Sequence, residues 1–313
     1  MTYEVVLPAL DGRLPLGFLA ALGVLRLLSE HTEDDVRLHF DEESAAAVVT
    51  GPYADLDAVA EALTGIATSG DGLIPGLDPD FPLPRSGSGG DPMRLPRAEY
   101  RAYWLADGGE RRRWWSTLLT DLAVDDDDRV ALTPYTAPSG RMILRTFVEK
   151  PVTAVRENPE TIREALVGWR RVEGFTGEYF DHQVLRSSAE DPLGRQGKER
   201  GVPGPTWLAV MALPLLRVTS WGKAPTATLW HRLPGRRDPV MIWPLWRQPL
   251  DQWAVQALVE HPALRPNVTD GRVIVKKRDL EPLGVFLVCA GDRQRVWLRK
   301  FAGALAPVEV TMV

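Results

Sequence analysis

From Leu14 to Leu28 the chain runs through fifteen residues with a single charge, Arg26. Pro15 suits the first position of a helix, where an amide hydrogen would go unused. Leu16, Leu19, Ala20, Gly23, Leu27 and Leu28 recur at helical spacing, and most positions between them are apolar too. A helix apolar around its whole circumference has to be covered on several sides. The run is short for a membrane span, which takes ~20 apolar residues, so the expectation is a helix buried in protein. Gly17 and Gly23 let a neighbouring backbone come close to it. The fold must therefore be wrapped around this helix.

The rest of the chain reads as α+β: an N-terminal strand-helix-strand-helix unit, a helical middle and a strand-rich C-terminal part. In the N-terminal α/β unit, 1–68, Tyr3 to Leu7 is a strand and Val36 to Phe40 alternates as a half-buried strand. Helices are expected at Glu43 to Val49 and Leu56 to Ala67. Residues 69–97 form a Pro/Gly linker or mobile loop, because Phe81-Pro-Leu-Pro-Arg-Ser-Gly-Ser-Gly-Gly90 suits neither helix nor strand. The mainly helical region, 98–217, has helices from Ala98 to about Ala123, Arg141 to Val155, Glu160 to Trp169 and Thr206 to Leu216. A polar stretch from Arg170 to Pro205 interrupts it. In the basic C-terminal region, 218–313, strands are expected at Thr226 to His231, Val240 to Trp243, Val273 to Lys277, Val285 to Cys289 and Val308 to Val313, with a helix at Gln252 to Glu260.

Net charge is −5, which argues against a generic nucleic-acid binder, but the charge is unevenly distributed. Met1 to Val202 holds 22 Lys and Arg against 34 Asp and Glu, whereas Pro203 to Val313 holds 15 against 8. An acidic front and a basic back suit a polyanion or a charged partner subunit. The lone cysteine, Cys289, lies in an apolar run and reads as a small buried hydrophobe, which fits a reducing, cytoplasmic setting. A basic segment of the signal-peptide kind is missing at Met1-Thr-Tyr-Glu4.

No catalytic, metal or cofactor motif stands out. The five histidines are scattered, and HExxH, CxxC and Gly-x-Ser-x-Gly patterns are absent. Gly194-Arg-Gln-Gly-Lys-Glu199 lacks the Lys-Ser/Thr step of a phosphate-binding loop. Asp181-His182 offers an acid and a base adjacent in sequence, so a metal-dependent nuclease or hydrolase assembled from distant carboxylates stays open as an alternative. A protein-only adaptor is a second alternative.

Candidate anion contacts are more numerous. Ser139 and Gly140 precede an expected helix on which Arg141 and Arg145, four apart, share a face. The plainer reading is a serine-capped helix whose arginines meet Glu149 or water. Arg186, Arg195, Lys198 and Arg200 stand in the Gly-rich polar stretch, where guanidinium and backbone groups can approach a phosphodiester. Lys276-Lys277-Arg278 is a compact basic cluster, which as a plain surface feature is a solvated sheet edge. Several of the 11 tryptophans adjoin arginine, as in Arg113-Trp114-Trp115 and Trp246-Arg247. Such pairs stack bases in nucleic-acid proteins, but core packing explains each one separately.

Three stretches together resemble subunits of type I-G (formerly I-U) CRISPR effector modules. Leu14-Pro-Leu-Gly-Phe-Leu-Ala-Ala-Leu-Gly-Val-Leu-Arg-Leu-Leu28 is similar to their N-terminal LGxLxALGxLR helix. Ser139-Gly-Arg-Met-Ile-Leu-Arg-Thr-Phe147 resembles an SGxxxLR segment. Gly201-Val-Pro-Gly-Pro-Thr-Trp-Leu-Ala-Val-Met-Ala-Leu-Pro214 with Val240-Met-Ile-Trp-Pro-Leu-Trp246 resembles a GxPxxxWLAxxALP…WPLW portion. The resemblance implies a large-subunit-like or accessory component of a crRNA-guided surveillance complex in antiviral defence. Its partners would be crRNA, target DNA and other effector subunits. In such complexes guide–target pairing reads sequence and protein reads the flanking duplex. The chain is short for a large subunit, and no residue is carried over for reading that duplex.

Overall fold

The computed structural model describes residues 1–83, 91–136, 143–184, 199–236, 238–269, 272–293 and 303–313. It is an α+β protein with mixed helices and several small sheets. Strand β1 (Tyr3–Asp11) leads into helix α1 (Pro15–His31), and every α1 residue from Pro15 to Leu28 is buried. One cover is an antiparallel sheet of order β1-β3-β2, with β2 at Arg37–Phe40 and β3 at Ala46–Gly51. Two helices add to it, α2 (Leu56–Thr68) and α7 (Pro203–Met211).

Helix α7 lies against α1 without intervening side chains. A Cβ on Gly23 would sit 1.9 Å from the Leu208 carbonyl oxygen, so only hydrogen fits there. The buried Arg26 ends the same contact: its Nη1 donates to the Met211 carbonyl at 2.8 Å, at the C-terminal end of α7 where carbonyls lack helical partners. Glu30 and Glu110 balance its charge and Trp114 lies under its plane, 5.4 Å from ring centroid to Cζ. Burial nonetheless lowers the Arg26 pKa, with the two carboxylates opposing.

The tryptophans of Val240-Met-Ile-Trp-Pro-Leu-Trp246 join the C-terminal region to this centre. Strand β11 (Val240–Trp246) is buried along its whole length. Trp243 Nε1 donates to the Gly12 carbonyl at 2.7 Å and Trp246 Nε1 to the Leu38 carbonyl at 2.8 Å. Both rings pack around Phe18 of α1. Strand β11 belongs to an antiparallel sheet of order β10-β11-β14-β15, with β10 at Trp230–His231, β14 at Val285–Arg293 and β15 at Leu305–Val308. A smaller sheet joins β12 (Asn267–Thr269), β13 (Arg272–Val275) and β16 (Val310–Met312). Among the described residues, no helix is long and apolar enough to cross a membrane.

Two expectations are corrected. Glu43 to Val49 is not a helix: its C-terminal half starts β3, the central strand of the first sheet. Val48, Val49 and Thr50 are β-branched, and pairing on both edges outweighs the helix propensity of three consecutive alanines. The N-terminal order is thus strand-helix-strand-strand-helix. The helices after Ala98, α3 (Arg97–Ala106) and α4 (Gly109–Leu118), also stop sooner than expected. Leu119–Val124 is β4, which forms a hairpin with β5 (Val130–Leu132).

Candidate anion-binding cavity

The tip of the β4–β5 hairpin is a self-bonded acidic turn. Asp125 Oδ1 accepts from the Asp127 and Arg129 amides at 3.1 and 2.9 Å, and Asp128 takes a left-handed φ of 56°. The run Asp125 to Asp128 is therefore a turn device that holds Arg129 in place. The Val130 amide donates to the Leu95 carbonyl at 2.9 Å, which brings Arg94 alongside.

A second hairpin joins β8 (Val218–Trp221) to β9 (Ala224–Ala227). Its turn is Gly222-Lys223, and Gly222 with φ of 60° supplies the conformation a two-residue turn needs at its first position. Lys223 is thereby presented at the tip.

A third contribution comes from Arg293 at the end of β14. Its Nη2 donates to the Tyr135 carbonyl at 2.6 Å and the Pro134 carbonyl at 3.3 Å, and Nη1 to the Gly303 carbonyl at 3.3 Å. Its Nε is buried without a partner, and the guanidinium lies 5.8 Å from the Trp230 ring centroid. The residue is half-buried by exposure, yet desolvation pulls its pKa down to about 10, opposed by Tyr135. It remains a cation at neutral pH.

These segments enclose a cavity of about 630 Å³. Its walls are apolar at Val124, Leu132, Pro225, Pro239 and Trp230. Arg94, Arg129, Lys223 and Arg293 line it, against two carboxylates, Asp125 and Asp238. Arg94 stands 3.9 Å from Asp125. The other three cations have no carboxylate within 4.0 Å among the described residues. Elsewhere on the surface pairing is common: Arg13, Arg101, Arg163, Arg217 and Arg247 each hold an acidic partner. Cations left without acids around a concavity are what an anion site requires.

None of the described residues predicted from sequence lines this cavity. Ser139, Gly140, Arg141, Arg186, Arg195 and Lys198 lie outside the described residues. Helix α5 (Leu144–Glu157), with Ile143 as its cap, carries Arg145. Arg145 itself is engaged inside the fold, donating to the Pro82 carbonyl at 2.9 Å and the Pro79 carbonyl at 3.4 Å. Arg200 pairs with Glu173 at 3.4 Å across a two-residue β-ladder. Lys277 and Arg278 pair with Glu281 and Asp279 at 3.4 and 3.5 Å, and Lys276 caps the short helix Lys277–Leu280 through its backbone. Arg145→Ala would leave the two carbonyls without their donor. It is expected to lower stability by about 1–2 kcal/mol in urea denaturation, and to leave anion binding unchanged.

Asp181 Oδ2 accepts from Arg171 Nη2 at 2.7 Å and Oδ1 from the Gln183 amide at 2.9 Å, while His182 Nδ1 stays 3.8 Å away. Cys289 is held in β14 opposite Trp243, and burial pushes its thiol up to about 12. Among the described residues, no three His, Cys, Asp or Glu side chains are placed to share a metal ion. No protein-family model and no curated protein matches the chain.

Proposed function

We propose that the chain is a non-catalytic, nucleic-acid-associated subunit that grips the phosphate backbone at the cavity of Arg94, Arg129, Lys223 and Arg293. The carrying observation is that four cations from four separate segments line one concavity and, among the described residues, only Arg94 has an acidic partner. Phosphate contacts dominate nucleic-acid affinity, and Arg129 and Lys223, exposed and without an acidic partner among the described residues, supply them without first breaking an ion pair. The excess positive charge after Val202 favours the same reading. The three stretches that resemble type I-G effector subunits extend it to a crRNA-guided CRISPR surveillance complex, with crRNA or target DNA and other effector subunits as partners.

The test is fluorescence anisotropy with labelled single-stranded RNA, single-stranded DNA and duplex DNA across a salt series. Arg129→Ala with Lys223→Ala should weaken binding and reduce the log–log salt slope by roughly one for each lost phosphate contact. An unchanged slope in the folded double variant removes the cavity from the binding surface. If no RNA or DNA binds even at low salt, and none co-purifies with an assembly containing the chain, a protein-only adaptor replaces this reading.

A further inference from the structure

We infer that the cavity admits one unpaired nucleotide, its base against the apolar wall and its phosphate among the cations, so that a strand end or an unstacked position is what the protein holds. This rests on the proposed nucleic-acid role and narrows it. Shape comes first. A duplex presents its phosphates on a cylinder too wide to enter a concavity, whereas about 630 Å³ lies within the range of sites that enclose a small organic ligand. The lining is of two kinds. Leu132, Pro225 and Pro239 offer apolar surface that bare phosphate cannot use but a base can. Arg129 and Lys223 are exposed and without acidic partners among the described residues, so they can turn toward a phosphate at little cost.

Charge narrows the choice further. Among the described residues, four cations against two carboxylates leave an excess of two positive charges. That excess balances one phosphate monoester, which carries about −1.5 to −2 at neutral pH. It also balances the two phosphodiesters that flank an internal nucleotide. A triphosphate would exceed it.

Displacement of a labelled single-stranded oligonucleotide by CMP, cytidine and inorganic phosphate decides the matter. CMP should displace the probe, with cytidine and inorganic phosphate each at least about tenfold weaker, because each lacks one half of the contacts. Two variants make the comparison independent of charge alone. Lys223→Ala should weaken CMP about tenfold. Ala131→Trp, which fills the cavity from β5 and removes no charge, should abolish displacement by CMP. Circular dichroism verifies that both variants fold, and Arg163→Ala, at a surface cation paired with Asp57 outside the cavity, should leave displacement unaltered. If the oligonucleotide binds but CMP does not displace it, the single-nucleotide site is wrong and the backbone-binding role stands. Inorganic phosphate matching CMP would reduce the cavity to an anion site and overturn the role of the apolar wall. If neither oligonucleotide nor nucleotide binds, both readings fall together.

Discussion

Gly23→Ala is expected to unfold the protein or to leave it several kcal/mol less stable. The added Cβ would lie 1.9 Å from the Leu208 carbonyl oxygen, far inside van der Waals contact, and the obstructing atom is backbone. Neither helix can give way easily. Helix α1 is enclosed from Pro15 to Leu28. Helix α7 is held on another side, where a Cβ on Gly204 would meet the Thr161 carbonyl at 1.9 Å, on the helix α6 (Glu160–Val167). Overpacking ordinarily costs about 1–3 kcal/mol, and more where the surroundings cannot move. Total stability is only about 5–15 kcal/mol, so the variant stands close to the folding threshold. The direction of the effect is diagnostic, because helix propensity alone would make alanine better than glycine by about 1 kcal/mol. Gly65→Ala provides the contrast. Gly65 is exposed in α2 with nothing within 4 Å of its would-be Cβ, so there propensity should prevail and stability should rise by about 0.5–1 kcal/mol. Urea denaturation followed by circular dichroism measures both. A Gly23→Ala protein as stable as the parent would show that the two backbones are not in contact.

The buried helix was legible because its signal is local: fifteen consecutive residues with one charge have one physical outcome. The close approach at Gly23 was legible for the same reason, although its partner, Leu208, was not. Strand β3 was misread because Ala45-Ala46-Ala47 favours a helix locally, while the two flanking strands that override it are separate in sequence. Tryptophans beside arginines were also ambiguous locally. In the fold Trp246 donates to Leu38 and Arg247 turns away to Glu42, so that pair is divided between core and surface. The cavity was illegible for a deeper reason. Arg94, Arg129, Lys223 and Arg293 come from four segments, each with one cation and no motif around it. Basic residues that cluster in sequence did not foretell it: Lys277 and Arg278 find acids within four residues.

Glu178→Gln is expected to stabilise the protein at pH 8 and to have little effect at pH 5. Glu178 is fully buried, and its Oε2 has no hydrogen-bond partner among the described residues. Gly177, Glu178 and Tyr179 have φ of 59°, 47° and 60°, three successive left-handed residues of which two are not glycine. The turn is closed by the Phe180 amide on the Gly177 carbonyl at 3.1 Å and by Tyr179 Oη on Glu199 Oε1 at 3.0 Å. Burial pushes the Glu178 carboxyl up to about 7 from its ordinary 4.5, against Lys150 at 3.9 Å and the Thr176 hydroxyl, with Glu199 adding to the rise. The folded state therefore holds this proton more tightly than the unfolded chain does. Its contribution is fully present below pH 4.5 and is lost as pH rises through 7, at about 1.4 kcal/mol per pH unit. The loss amounts to about 3 kcal/mol by pH 8. Glutamine keeps the size and polarity of the protonated acid without ionising, so it removes that loss while leaving the left-handed turn in place. Denaturant midpoints for both proteins at pH 5 and pH 8 measure the difference. A gap that does not grow with pH would show that Glu178 keeps its ordinary carboxylate pKa in the fold and is already ionised there at pH 5. A gap that grows as expected would mean that the fold carries, at neutral pH, a strained and half-ionised buried acid that one amide would relieve, and strain of that kind gathers at working parts of proteins.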